Sequence, residues 1–278
     1  MKALFEELSM QVSRAVTRKY STSFSIGILA LAPSIRPAIY AIYGYVRLAD
    51  EIVDSFHAHD KHRLLERLSV ETWQALDEGI SLNPILQSFQ DAVNRYGIQR
   101  ELISRFLDSM RMDLSPVEYD DDKYREYILG SAEVVGLMCL HVFVEGDPEA
   151  YAKLRPYAMK LGSAFQKVNF LRDLKDDYRI LGRTYFPGVD LRIFDTDTKT
   201  SIEREIAEDF AAALCGIRKL PVTSRFGVYL AYKYYLSLFE KIRHMPAQKI
   251  LQERVRIPNG RKLSLMMSSY LQYKMAIL

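Results

Sequence analysis

Two segments of this 278-residue chain carry acidic side chains at a spacing that could do chemistry. In AIYAIYGYVRLADEIVDSF, Tyr43, Arg47, Asp50 and Asp54 stand at i, i+4, i+7 and i+11, which is one face of an α-helix. Beside them Ile39, Ile42, Val46, Ala49 and Val53 form one apolar stripe, and Ala41, Tyr45, Leu48 and Ile52 another. A helix apolar around so much of its circumference belongs inside the protein. The second segment, LGSAFQKVNFLRDLKDDYR, places Gln166, Asn169, Asp173 and Asp177 on one face next to the stripe Leu161, Ala164, Val168 and Leu171. Like charges four residues apart cost a helix a few tenths of a kcal/mol, and partial burial raises the cost. A bound cation removes it. Mg²⁺ takes hard oxygen ligands, typically one or two carboxylates together with substrate phosphates. One such pair alone would be an ordinary solvated face; two, each aligned with Arg, Asn or Gln, point to Mg²⁺ ions around a diphosphate.

The elements that must position these seams are helical. Periodicity predicts helices near 4–19, 37–56, 61–78, 84–95, 98–111, 121–143, 148–178, 201–216, 221–243 and 260–275. Between them fall breakers such as Asn83-Pro84, Tyr96-Gly97, Asp147-Pro148 and Pro187-Gly188. The piece 187–200 reads as a surface loop. No linker or repeat divides the chain, so the expectation is one all-α domain over 1–278, a helical bundle large enough to enclose a cavity.

Composition narrows the function classes. Hydrophobic residues make up 49%, enough for a large core. The 38 basic and 35 acidic residues leave a formal charge of +3, which excludes an extended basic surface for nucleic acid. Cys139 and Cys215 lie in apolar helical contexts and read as buried reduced thiols of a cytosolic protein. The N-terminus carries Glu6 and Glu7 where a secretory signal would need an apolar run. The longest uncharged stretch, Tyr20 to Ile35, is 16 residues with four serines and a proline, too short and polar for a membrane span.

The order of five segments resembles the squalene/phytoene synthase family of head-to-head prenyl transferases. They are Tyr20-Ser21-Thr22-Ser23-Phe24, YGYVRLADEIVD, YILGSAEVVG, FQKVNFLRDLKDD and RTYFP, spread over about residues 20 to 254. The resemblance implies an all-α isoprenoid-synthase bundle with a central cavity. It implies that Asp50, Asp54, Asp173 and Asp177, with Asn169, hold Mg²⁺ and diphosphate. It carries diphosphate or first-prenyl-carbon contacts onto Tyr20, Ser21, Ser23, Phe24, Tyr43, Arg47, Gln166, Arg172 and Tyr235, and pocket or phosphate-side roles onto Tyr127 and Arg254. Ser131 and Glu133 stand where the family more often has Val and Gly, which bears on the shape of the prenyl pocket. Glu51 replaces a frequent second Asp.

The implied chemistry ionises an allylic diphosphate, adds a second prenyl chain and passes through a cyclopropyl diphosphate. Loss of a proton then gives phytoene, whereas hydride from NADPH gives squalene. The leading expectation is condensation of two geranylgeranyl diphosphates to phytoene without NADPH. Squalene or dehydrosqualene formation from two farnesyl diphosphates is the alternative, and a non-catalytic helical binding protein a remote one. Phe24, Tyr43, Tyr127 and Phe165 are candidates to face cations. Further expectations are peripheral contact with the inner membrane face and hand-over to a downstream desaturase. The HAHDKH segment with His57, His59 and His62 reads as a polar turn, Asp120-Asp121-Asp122 as a helix cap, and Trp73 as core. Lys167 and Lys175 read either as added positive potential near the diphosphate or as solvated.

Overall fold

The computed structural model describes residues 2–115, 119–179, 185–189, 194–255 and 269, with the side chains of 176–179 outside the description. Twelve α-helices and one π-helical turn, with no strand, account for the order among these residues. They are α1 (Lys2–Tyr20), α2 (Thr22–Leu29), α3 (Arg36–Ser55), α4 (Lys61–Glu78), α5 (Pro84–Tyr96), α6 (Arg100–Met112) and α7 (Asp121–Ile128). A π turn (Leu129–Glu133) leads into α8 (Val134–Phe143), then α9 (Pro148–Arg179), α10 (Thr196–Ile217), α11 (Val222–Arg243) and α12 (Ala247–Ile250).

Local chemistry explains the boundaries. Helix starts need acceptors for orphan N–H groups, and Ser21, Asp60, Asn83, Asp120 and Asp195 each accept one from the backbone of the turn they open. Asp120 is thus the cap its sequence suggests. Gly79 and Gly97 end α4 and α5 at φ 67° and 64°, a left-handed conformation that costs glycine little.

Four sequence expectations change here. The serine-rich stretch after Tyr20 folds as α2, and Ser21 caps it. Helix α10 begins at Thr196, inside the piece expected to be loop, because Asp195 supplies the cap. The expected helix 121–143 contains the π turn, a single widened turn that barely disturbs the apolar pattern. That same run, Asp121–Phe143, is long and apolar enough by length and composition to cross a bilayer, contrary to the expectation of no such segment, and half of its most apolar window is buried inside the protein. The expected helix 260–275 lies outside the described residues, Ser269 excepted.

Helix α1 packs on α3 and α5, and α9 packs on α8, α10 and the π turn. One continuous apolar core runs through them, with Tyr45 of α3 stacked on Phe89 of α5 at 3.9 Å and 5°. The close approach of α9 to the π turn needs glycine. A Cβ on Gly162 would sit 2.7 Å from the Ala132 carbonyl oxygen, so a larger residue there would push the turn away. Trp73 packs partly buried against the core, and Cys139 is half-buried. Cys215, expected to be buried, is exposed: it points outward from α10 and donates weakly to the Ala211 carbonyl. His57 and His59 are exposed in the turn before α4, and His62 is exposed in its first turn.

Candidate active site

Helices α2, α3, α8, α9, α10 and α11, together with Tyr127 of α7 and the π turn, surround one cavity of about 650 Å³. Along α9 its wall runs from Leu154 to Asp173, about 28 Å at the rise of an α-helix. The two seams decide its chemistry. Tyr43, Arg47, Asp50 and Asp54 of α3 all line it, as do Gln166, Asn169 and Asp173 of α9. Two helices more than a hundred residues apart in sequence therefore bring their polar faces to one space. The side chain of Asp177 lies outside the described residues.

At this polar end every described cation has an acidic partner. Arg47 bonds Glu51 and approaches Asp50 to 4.0 Å. Arg172 grips Asp173 with two nitrogens, and Arg254 Nε donates to the same carboxylate at 2.7 Å. Arg47 also lies over the Tyr20 ring at 4.4 Å. Glu51, the departure from the family pattern, is held by Arg47: burial opposes ionisation, yet its hydrogen bonds to Arg47, Ser55 and Tyr20 keep its carboxyl below the ordinary value. Burial pushes the Asp50 carboxyl up to about 7; Arg47 draws it down, while Asp54, Asp113 and Glu51 raise it further. This crowding of negative charge is what a cation would relieve.

The carboxylates fit magnesium that arrives with diphosphate better than a preformed cage. Among the described residues no three His, Cys, Asp or Glu side chains cluster tightly enough to hold an ion alone. Asp50, Asp54, Asn169 and Asp173 present hard oxygen donors around the cavity, and phosphate oxygens would complete the coordination.

Deeper in, the lining turns aromatic. Tyr43 is hydrogen-bonded to Ser21, and burial pushes its phenol up to about 12. Phe24 lies 5.7 Å from Tyr43 and 5.9 Å from Tyr235, and Phe165 stacks on Tyr235 at 3.9 Å. Tyr235 donates to Asn169 Oδ1 at 3.3 Å, tying α11 to the polar seam of α9. Tyr20, Ser21, Phe24, Tyr127, Arg172, Tyr235 and Arg254 line the cavity as well; Ser23 is half-buried on α2 and does not.

A family model described as squalene/phytoene synthase matches residues 17–261. This chain belongs to the squalene/phytoene synthase family. Like the other members it is a prenyltransferase of the phytoene/squalene synthase type. Relatives in this family include a phytoene synthase of Arthrospira platensis, 26% identical over 92% of this chain and 90% of that protein. A presqualene diphosphate synthase of Zymomonas mobilis subsp. mobilis is 31% identical over 76% of this chain and 71% of its own length. The solved structure of a dehydrosqualene synthase in complex with a ligand superposes with a TM-score of 0.83 at 20% identity, covering 97% of this chain and 98% of that one. It shares the isoprenoid-synthase fold.

Two of the expectations about neighbouring residues are corrected. Glu133 does not line the cavity; Ser131 and Ala132 do. The Ser131 hydroxyl is buried with no hydrogen-bond partner among the described residues, a polar atom in an otherwise apolar wall. Lys167 is neither near the diphosphate end nor solvated. It is 4% exposed and bonds Asp209 at 2.6 Å and Glu205 between α9 and α10.

Glu133 feels the same charged cluster. Burial pushes its carboxyl up to about 7; Lys160 opposes this, Asp209 adds to it, and Lys167 and Arg155 oppose it. An acid whose folded value is raised is easier to keep protonated in the native state, so stability falls as pH rises from about 4.5 to 7 and the loss is complete above. Glu133→Gln is therefore expected to raise the melting temperature at pH 8, by on the order of 1–3 kcal/mol of stability, and to change little at pH 4.5. Thermal unfolding at the two pH values checks this, and an equal effect at both would refute it.

The sequence missed Asp113, which lines the cavity just after α6. A lone aspartate at a helix end carries no spacing signal. Lys167 and Asp209 did leave one, because each falls in the register of an apolar stripe: Ala164, Lys167, Val168 and Leu171 on α9, and Ile202, Ile206, Asp209 and Ala213 on α10.

Proposed function

We propose that this chain is a phytoene synthase of carotenoid biosynthesis, joining two geranylgeranyl diphosphates head to head. The observation that carries the reading is the cavity: a carboxylate and arginine end opening on a long wall of aromatic and apolar side chains. Mg²⁺ bound with the diphosphate would supply Lewis-acid stabilisation of the leaving group, held by Asp50, Asp54, Asn169, Asp173 and Asp177. The chain's own residues do the rest. Arg47, Arg172 and Arg254, which stand among the carboxylates at this end, would take up the phosphate oxygens. As the C1–O bond of the first substrate breaks, the electron pair leaves with diphosphate. The double bond of the second substrate attacks the allylic cation, and loss of a proton to the released diphosphate closes the cyclopropane. Phe24, Tyr43, Phe165 and Tyr235 keep water from these cations and offer them ring faces. A second ionisation, rearrangement and proton loss yield phytoene. A product so apolar favours work at the cytoplasmic face of a membrane, beside a desaturase that consumes it.

The Zymomonas relative supports a second reading, in which two farnesyl diphosphates give presqualene diphosphate or a C30 hydrocarbon. Purified protein incubated with Mg²⁺ and C15 or C20 diphosphate, with and without NADPH, separates the two. A C40 product without NADPH is expected. A C30 product alone, or reduction that requires NADPH, would overturn the phytoene reading.

A further inference from the structure

The proposed reaction needs cations held at a defined place between two prenyl chains, and in one wall of the cavity Tyr127 is paired with a carboxyl, Asp113, to which no role is assigned. The Tyr127 hydroxyl of α7 donates to Asp113 Oδ2 at 2.8 Å. Both residues line the cavity and both are buried, at 4% and 8% exposure. The Tyr127 ring is held on three sides, by Tyr185 at 5.2 Å, Tyr119 at 5.5 Å and Phe170 at 6.0 Å. Stacking sets the plane of the ring, while the carboxyl sets where the hydroxyl hydrogen points.

We propose that Asp113 is a positioning residue: by accepting the Tyr127 proton in a hydrogen bond, it leaves the phenol oxygen's lone pairs facing the reacting prenyl carbons. The phenol stays neutral. Burial drives its ionisation well above the ordinary tyrosine value, and the Asp113 charge and hydrogen bond drive it further. No proton is transferred. A phenol that donates to a carboxyl carries more negative charge on its oxygen, and in a dry cavity that charge is felt strongly by a passing cation. Had the hydroxyl been free to rotate, its hydrogen could face the cavity and repel the same cation. Asp113 also lies within electrostatic reach of Asp50, so the wall group stands near the end where ionisation occurs.

The inference rests on the reading of the cavity as a site for prenyl-diphosphate condensation, and its test separates the two. Turnover is measured for the wild type, Asp113→Ala, Asp113→Asn, Tyr127→Phe and the double variant Asp113→Ala/Tyr127→Phe. If Asp113 acts through Tyr127, Asp113→Ala lowers kcat by roughly 10²-fold with KM within about threefold, because it touches no phosphate. Asp113→Asn, which keeps an acceptor oxygen, loses less. In the Tyr127→Phe background, Asp113→Ala adds less than about twofold, since the pair works as a unit. Losses that multiply in the double variant, or a kcat untouched by Asp113→Ala, would overturn the role. Should Asp113→Ala fail to fold, Asp113→Asn in both backgrounds carries the same comparison. A wild type that turns over neither C15 nor C20 diphosphate would overturn the condensation reading, and this role with it.

Discussion

Asp50→Ala and Asp173→Ala are each expected to lower turnover of prenyl diphosphate by about 10³-fold or more. Removal of one preorganised stabilising group in a dry site already costs 10²–10³ in rate, and on the proposed function each variant also loses a carboxylate meant for Mg²⁺ and diphosphate. The two variants should differ in how the loss divides. Asp173 ties up both Arg172 and Arg254. Asp173→Ala frees two guanidinium groups for phosphate, so KM should not rise along with the fall in kcat. Asp50 is flanked by Asp54, Asp113 and Glu51, which with burial raise its carboxyl to about 7. Its ionisation therefore costs stability as pH rises from about 4 to 7, with the loss complete above, and Asp50→Ala should melt no lower than the wild type at pH 8. Steady-state kinetics with C20 diphosphate, paired with thermal unfolding, tests both statements. More than a tenth of wild-type turnover in either variant would sink the assignment of these aspartates to metal and diphosphate.

Asp209→Ala is expected to destabilise the protein by about 3 kcal/mol without disabling its chemistry. Asp209 is 1% exposed and receives Lys160 at 2.7 Å, Lys167 at 2.6 Å and Ser163 at 3.0 Å. Breaking a buried pair from one side leaves the other charge without its partner, which costs 3–5 kcal/mol. Half-exposed Glu205 still reaches Lys167, which places the expectation at the low end of that range. Against a typical total of 5–15 kcal/mol this is a large fraction, and the melting temperature should fall by roughly 2–4 °C per kcal/mol. The companion variant, Lys167→Met with Asp209→Leu, puts apolar side chains on both sides of the α9–α10 contact and should recover most of the loss. Neither residue lines the cavity, so kcat at 25 °C should stay within a fewfold of wild type. Urea unfolding of the three proteins measures the loss and its recovery; an Asp209→Ala protein as stable as wild type would show that the pair contributes nothing.

Much of the site was legible because helix geometry is local. Residues at i, i+4, i+7 and i+11 share a face whatever the rest of the chain does, so Tyr43, Arg47, Asp50 and Asp54 could be grouped before any fold was known, as could Gln166, Asn169 and Asp173. Helix-capping and breaker residues placed most boundaries for the same reason. Illegible features were those that depend on what lies across an interface. Nothing in the sequence around Ser21 announces that it caps a helix while also bonding Tyr43. The π turn at Leu129–Glu133 needs the glycine-lined approach of α9 to be understood. Glu133 looked like a pocket residue and faces a charge cluster instead, and Cys215 sits in an apolar context yet points to solvent.

By itself, then, the sequence determined an all-α chain with two acidic seams, because periodicity, caps and seam spacing are properties of single helices. Only the tertiary structure decided that the seams line one cavity and that Lys167 is a core ion-pair partner. It alone showed that a carboxyl from the end of α6 holds a tyrosine of α7. Those facts depend on contacts between residues distant in the chain, and no local pattern encodes which buried face meets which.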